Sequence, residues 1–262
     1  MDTKLIGSTV VVTGGSGALG SAIARRFATE GVAAIAIVDR DHDATHAAVA
    51  ALRDGTSERQ RGTTSVLDVV PIVLDVTDHD AVQAAYADLA SQFGRIDIAI
   101  NNAGIVAPSA RLHNVKVEDF RSVLEVNLIG IFNCTKAAIV QMRNHGKGGA
   151  IVNTASVAGF TTWTHSSPYG ASKAAVIQLT KLAAAEYAGD GIRVNCVSPG
   201  TFVTRFHDDL PPSALDAIRG RHPLGRFGSA DEIAGAYVYL CSDVAGWVTG
   251  TNLVVDGGMA VG

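Results

Sequence analysis

Short apolar runs alternate with longer segments of helical periodicity along the whole chain. The runs fall at Thr9–Thr13, Ala33–Val38, Val69–Leu74, Ile96–Ile100, Ala150–Thr154, Arg193–Ser198 and Asn252–Val255. Several are unbroken Val, Ile and Ala, the pattern of parallel strands buried on both faces. Between them the spacing of apolar positions predicts helices near 18–30, 41–54, 78–93, 117–143, 168–188 and 229–241. Asp78 and Ser229 are placed to cap two of these, and Glu232, three residues after Ser229, gives a capping-box spacing. Gly94 and Gly191 fall where helices should stop. Such alternation builds right-handed crossover units. The expected fold class is therefore α/β, a doubly wound seven-stranded parallel sheet with helices on both faces, in a single domain over 1–262. Two stretches depart from the pattern. Residues 55–65 (GTSERQRGTTS) are polar and suit a surface excursion. Residues 201–228, interrupted by Pro211, Pro212 and Pro223, suit a flap outside the sheet.

Composition narrows the class. A chain of 262 residues with 47% hydrophobic side chains can bury a large core. The net charge of −4 and the lack of a basic stripe argue against a nucleic-acid partner. The basic residues between Arg53 and Arg61 are interleaved with Asp54 and Glu58, as on a solvated surface. No unbroken apolar run reaches the ~20 residues of a membrane span. Met1-Asp2-Thr3-Lys4 leads directly toward the first strand, so no signal peptide and a cytoplasmic location are expected. Cys134, Cys196 and Cys241 are an odd, widely spaced set in apolar contexts. They predict buried thiols, with neither a disulfide framework nor a metal site.

Three clusters carry candidate chemistry. The first is Val10-Val11-Val12-Thr13-Gly14-Gly15-Ser16-Gly17-Ala18-Leu19-Gly20, a strand, a glycine-rich turn and a helix start. Glycines there let the backbone approach a pyrophosphate seated at the helix N-terminus. Gly15, Gly17 and Gly20 fit G-x-G-x-x-G, while Gly14, Ala18 and Gly20 fit T-G-x-x-x-[G/A]-x-G. The second is Asp39 at the end of the second strand. A carboxylate there accepts from an adenosine ribose and repels a 2′-phosphate, which favours NAD over NADP. Arg40, next to it, could contact such a phosphate. The third is Ser156 with Tyr169 and Lys173. Tyr and Lys four apart share one helix face. The ammonium should then lower the phenol's pKa and let it exchange a proton with an alcohol or ketone.

Taken together, these motifs resemble the short-chain dehydrogenase/reductase family, over about Gly7 to Gly258. The resemblance rests on the loop at 13–20, Asp75, Asn101-Asn102-Ala103-Gly104, Asn127, Ser156, Tyr169 with Lys173, and Pro199-Gly200 through Thr204. Ala18 stands where many members have glycine. The resemblance implies a Rossmann fold, with Tyr169 as general acid/base and Lys173 lowering its pKa and holding the nicotinamide ribose. It implies that Ser156 holds the substrate oxygen and that Asn127 holds a water extending a proton relay. Asp75 and Val76 would contact adenine, and Asn102, Ala103 and Gly104 would pass the adenosine ribose. Pro199, Gly200, Phe202 and Thr204 would cover the nicotinamide. The implied function is an NAD-dependent oxidoreductase interconverting a secondary alcohol and a ketone. Two alternatives stay open: an NADPH-dependent 3-oxoacyl-thioester reductase acting on a carrier protein, and a non-catalytic nucleotide-binding regulator. Substrate contacts are expected in Ala107–Leu112, Val157–Trp163 and Phe202–Leu210. Phe160, Trp163, Phe202 and Phe206 suggest an apolar pocket for a neutral small molecule, while Arg111 and Arg205 leave an anionic substrate open. A homotetramer through the helices at 117–143 and 168–188 is implied as well.

Overall fold

The computed structural model describes residues 5–57, 67–202 and 211–261. Seven strands form one parallel sheet in the order β3-β2-β1-β4-β5-β6-β7. They are β1 (Thr9–Thr13), β2 (Ala34–Asp39), β3 (Asp68–Val73), β4 (Ile98–Asn101), β5 (Gly149–Thr154), β6 (Ile192–Pro199) and β7 (Asn252–Val255). Every residue of β1 and β4 is buried, as their unbroken apolar runs require. Side-chain alternation divides the core. Val10 and Val12 enter one apolar cluster with Phe27 and Tyr237, whereas Val11 enters a second with Tyr86 and Met142.

The helices are α1 (Ala18–Thr29), α2 (His42–Ser57), α3 (His79–Phe93), α4 (Val117–Leu124), α5 (Ile131–His145), α6 (Ser167–Tyr187), α7 (Pro212–Arg219) and α8 (Ala230–Cys241). Asp78 caps α3 by accepting from the Ala81 N–H at 3.0 Å. Ser229 and Glu232 form the predicted capping box on α8. Gly94 and Gly191 both adopt positive φ where helical segments stop. The three cysteines are buried free thiols.

The structure differs from the sequence reading in three places. The helix expected over 117–143 is broken by a π turn, Glu125–Gly130, which separates α4 from α5. Gly130 lets that turn lie against Val76, since a β-carbon there would stand 2.6 Å from Val76 Cγ2. The flap contains α7, with Pro212 at its first position, where proline's missing N–H costs nothing. The helical run 117–145 is also long and apolar enough to cross a membrane by length and composition. Just over half, 56%, of its most apolar window is buried inside the protein, where α5 packs on α3 and α4 on α6. Of the 55–65 stretch, residues 55–57 close α2, and the remainder lies outside the described residues.

The strand order places the site. β1 is flanked by β2 on one side and β4 on the other, so successive crossovers leave in opposite directions there. A crevice opens at the carboxyl ends of such strands. Buried polar groups fix that end of the sheet. Asn101 Nδ2 donates to Asn153 Oδ1 at 2.9 Å and to Thr135 Oγ1 at 3.0 Å, and Asn153 Nδ2 donates to Thr180 Oγ1 at 3.0 Å. The chain of bonds ties β4, β5, α5 and α6 into one unit, although the buried Asn101 Oδ1 has no partner within it.

Candidate active site

The crevice is a cavity of about 780 Å³, within the range of small-molecule sites. Its walls hold Gly14, Ser16, Gly17, Ala18, Leu19, Asp39, Arg40, Asp75, Val76, Asn102, Ala103, Gly104 and Phe202, thirteen positions singled out from sequence. Gly20 lies beneath the loop, not on the wall. A β-carbon at Gly20 would come within 2.1 Å of the Gly14 carbonyl oxygen, so its role is to let α1 meet the loop. Gly17 is different. A β-carbon there would meet only the Gly14 oxygen at 3.4 Å, an ordinary contact. The fold does not require glycine at 17, and the exposed space in front of it is free for a ligand. No side chain caps the N-terminus of α1, whose first N–H groups therefore remain available to an anion.

Asp39 faces this loop. Its Oδ2 accepts from Ser16 Oγ at 2.5 Å and from the Ser16 N–H at 3.3 Å, while Oδ1 accepts from the Arg40 N–H at 2.8 Å. Asp75 accepts from the N–H and hydroxyl of Thr77 at 2.9 and 2.8 Å. The Thr77 N–H holds its carboxyl below the ordinary value against partial burial, with help from the Thr77 hydroxyl and Arg40. Asn102 Nδ2 donates to the Gly14 carbonyl at 3.2 Å, binding the β4 loop to the β1 loop. Sequence reading missed Ser21, Ala44, Ala47, Ala48, Leu74, Ile105 and Val126 on the walls. The alanines carried a usable signal. Small residues at 44, 47 and 48 share one helix face immediately after Asp39.

Asn127 and Lys173 stand behind Gly104 on the cavity wall, with Tyr169 beside Lys173 and Ser156 beside Tyr169; none of the four lines the cavity itself. Ser156 opens a 3₁₀ turn, Val157–Gly159, and its Oγ accepts from the Ala158 N–H at 3.2 Å. Gly159 lets this turn press on α6, because a β-carbon there would stand 2.8 Å from the Lys173 carbonyl carbon. The contact sets Ser156 in hydrogen-bonding reach of the Tyr169 phenol. Lys173 is 2% exposed. Its Nζ donates to the Thr154 carbonyl at 2.7 Å and lies 5.6 Å from the centre of the Tyr169 ring. A β-carbon on Gly104 would stand 3.3 Å from Asn127 Oδ1 and 3.6 Å from Lys173 Nζ. Asn127 sits in the π turn, accepts from the Ile105 N–H at 2.7 Å, and donates to the Ile105 carbonyl at 2.9 Å and to Ser172 Oγ at 3.2 Å.

The electrostatics correct one expectation. Burial pushes the Tyr169 phenol above its ordinary value, and the Ser156 hydrogen bond pulls it back only in part. Burial also lowers Lys173 to about 8, with the nearby Cys196 thiol opposing the shift. The i, i+4 spacing predicted a phenol lowered by its lysine. Here Lys173 is withdrawn from water, the phenol end of half-buried Tyr169 is desolvated, and the ammonium is spent on a backbone carbonyl, so desolvation wins. Pro199 ends β6, and Gly200 packs on Asp256, where a β-carbon would stand 2.7 Å from its Cα. Neither lines the cavity. Thr204, Arg205 and Phe206 lie outside the described residues. Phe160 is 46% exposed, and Phe202 packs on the core at the cavity wall.

Residues 15–260 match the family described as Enoyl-(Acyl carrier protein) reductase. The chain is 38% identical to 3beta-hydroxysteroid dehydrogenase 1 of Eggerthella lenta, covering all of this chain and 97% of that one. It is 37% identical to the 3-oxoacyl-[acyl-carrier-protein] reductase FabG of Thermotoga maritima, covering 98% and 100%. It also superimposes on a solved NAD+-bound xylitol dehydrogenase with TM-score 0.89, at 34% identity over 97% of this chain and 100% of that one. The chain belongs to the short-chain dehydrogenase/reductase family. It is accordingly an oxidoreductase of CH–OH groups that uses a nicotinamide cofactor.

A consequence of the buried lysine can be measured. In the unfolded chain Lys173 titrates near its ordinary 10.5, in the folded chain near 8. Between these values the unfolded state holds the extra proton, so the lysine's cost falls as pH rises. The stability of the wild type relative to Lys173→Met, from urea melts of the cofactor-free protein, should increase between pH 8 and 10. A difference independent of pH would show that the amine is not depressed.

Proposed function

We propose that the protein is an NAD-dependent dehydrogenase or ketone reductase interconverting a secondary alcohol and a ketone. The reading is carried by the Tyr169 phenol with Ser156 close to it and buried Lys173 behind, next to Gly104 on the wall of a cavity that the Gly14–Leu19 loop also lines. Bound nicotinamide would supply the hydride acceptor or donor. The open space at Gly17 and the uncapped start of α1 suit its pyrophosphate, and Asp39 suits the adenosine ribose. Asp75 and Val76 would flank adenine, and Gly104 with Phe202 would line the nicotinamide end.

In this reading Ser156 Oγ holds the substrate oxygen and donates to it as charge develops. Tyr169 takes the alcohol proton, or returns one to the ketone. Lys173 stabilises the phenolate that results and holds the nicotinamide ribose. Burial disfavours the charged form of both groups in the cofactor-free site, and a bound cofactor would add charge or hydrogen bonds that offset it. Asn127 fixes Ile105 and Gly104 beside Lys173, and a water held there would carry the proton path onward. Exposed Ile129, Phe132 and Val140 on the π turn and α5, with Leu182 on α6, suit burial in a homotetramer.

Asp39 favours NAD because its carboxylate already occupies the wall beside Ser16, where a 2′-phosphate would meet like charge. The alternative, NADPH-dependent reduction of a carrier-bound 3-oxoacyl thioester, draws support from Arg40 on the same wall and from the similarity to the Thermotoga maritima reductase.

Tyr169→Phe should lower turnover by about 10²–10⁴-fold, the scale of one acid/base group. The dissociation constant for NADH, read by fluorescence titration, should stay at the wild-type value. Turnover comparable to wild type would remove Tyr169 from the chemistry. For Asp39→Ala, the ratio of kcat/KM with NADP to that with NAD should rise roughly tenfold or more, as a like-charge contact is deleted beside Arg40. An unchanged ratio would mean that Asp39 does not select the cofactor.

A further inference from the structure

Trp163 lies in the loop between the Ser156 turn and α6, six residues before Tyr169. Arg221 follows α7 in the flap. The Arg221 guanidinium carbon stands 4.5 Å from the centre of the Trp163 ring, a cation–π contact joining segments far apart in sequence. Arg221 differs from its neighbours. Arg219 pairs with Asp216 at 2.7 Å and Arg226 pairs with Glu232 at 2.7 Å. Arg221 is exposed, and its side chain has no carboxylate or hydrogen-bond partner among the described residues. The loop beneath it is also short of acceptors. Trp163 Nε1 is buried without a partner, as is Ser167 Oγ at the start of α6. A buried donor with no acceptor is unfavourable.

The position of Arg221 is fixed from behind. His222, 3% exposed, accepts the Thr201 N–H on Nε2 at 3.3 Å while Nδ1 faces the Ile218 carbonyl at 3.0 Å. With Nδ1 against a carbonyl, that nitrogen carries the proton and Nε2 is free to accept. The arginine is thereby fastened to the strand end that runs through Thr201 to Phe202 on the cavity wall. A planar guanidinium on an aromatic face keeps its edge N–H groups free, in the fork that matches a carboxylate.

We propose that Trp163 and Arg221 form an anion-binding lip at the mouth of the substrate site, so that the preferred alcohol or ketone carries a carboxylate remote from its reacting carbon. The inference rests on the dehydrogenase reading and narrows its substrate class, in place of the neutral substrate suggested by the aromatic residues alone. Arg221 binds the carboxylate, and the indole face supplies the platform.

The test uses the full chain loaded with NADH, in a Trp247→Phe background that leaves Trp163 as the one tryptophan. Straight-chain carboxylates from butanoate to octanoate, and the corresponding amides, are titrated by fluorescence. At the best-fitting length the acid should bind roughly tenfold or more tightly than its amide, the scale of a hydrogen bond to a charged group. Arg221→Gln should bring the two to parity. The proposal fails if no acid binds, if acids bind no better than amides at any length, if Arg221→Gln keeps the preference, or if alkyl phosphates bind more tightly than the acids. Turnover is read separately with secondary hydroxy acids and hydroxy amides of the same lengths. Oxidation of both without preference for the acid overturns the lip and leaves the dehydrogenase reading standing. Arg221-dependent binding of acids without oxidation of any alcohol supports the lip and overturns the dehydrogenase reading.

Discussion

The architecture of the site depends on one close approach, that of the β1 loop to the β4 loop at the centre of the sheet. Gly14 adopts φ 62, and a β-carbon there would stand 2.9 Å from both Cα and N of Ala103. Thr13 Oγ1 accepts the Asn102 and Ala103 N–H groups at 3.0 and 3.3 Å, sealing the same seam. Backbone packed on backbone, tied by the Thr13 hydroxyl and the Asn102 amide, makes a floor with no bulky side chain at Gly14. The cavity can therefore open directly over the strand ends, with the phosphate loop on one side and the Gly104 end on the other. A larger residue at Gly14 would combine left-handed strain with a steric clash, and the two halves of the cleft would separate.

From that floor the polar groups follow in sequence. The buried Asn101–Asn153–Thr180 bonds hold β4, β5 and α6 in register. Lys173, on α6, is thereby presented to the Thr154 carbonyl at the end of β5, and Gly159 brings the Ser156 turn down on the same helix. The result is a neutral phenol beside an amine whose charged form burial disfavours, its value lowered to about 8, until a ligand arrives. Such a site is poised by desolvation, and the groups that bind must supply the compensation.

Much of this was legible in the sequence, for physical reasons. β1 and β4 are buried on both faces, so their apolar runs have no competing reading. The glycine loop, Asp39 and the Asn102–Gly104 segment occupy strand ends, and a sheet of known winding must bring strand ends together. What escaped was non-local. The π turn follows from the contact of Gly130 with Val76, while the residues from Glu125 to Gly130 continue helical spacing without interruption. α7 was hidden because Pro211 and Pro212 read as breakers, although Pro212 is a helix start. The Tyr169–Lys173 spacing reported their shared face correctly and said nothing of their desolvation, which sets the sign of both shifts. The Trp163–Arg221 contact joins two segments that no local pattern connects.

The most direct measurement is absorbance at the reduced-nicotinamide band, with purified protein, NAD or NADP, and a panel of secondary alcohols, with and without a remote carboxylate. NAD should be reduced, and more readily than NADP. If both cofactors stay oxidised with every alcohol, and NADH and NADPH survive the matching ketones, then Ser156, Tyr169 and Lys173 do not form a working alcohol–ketone site.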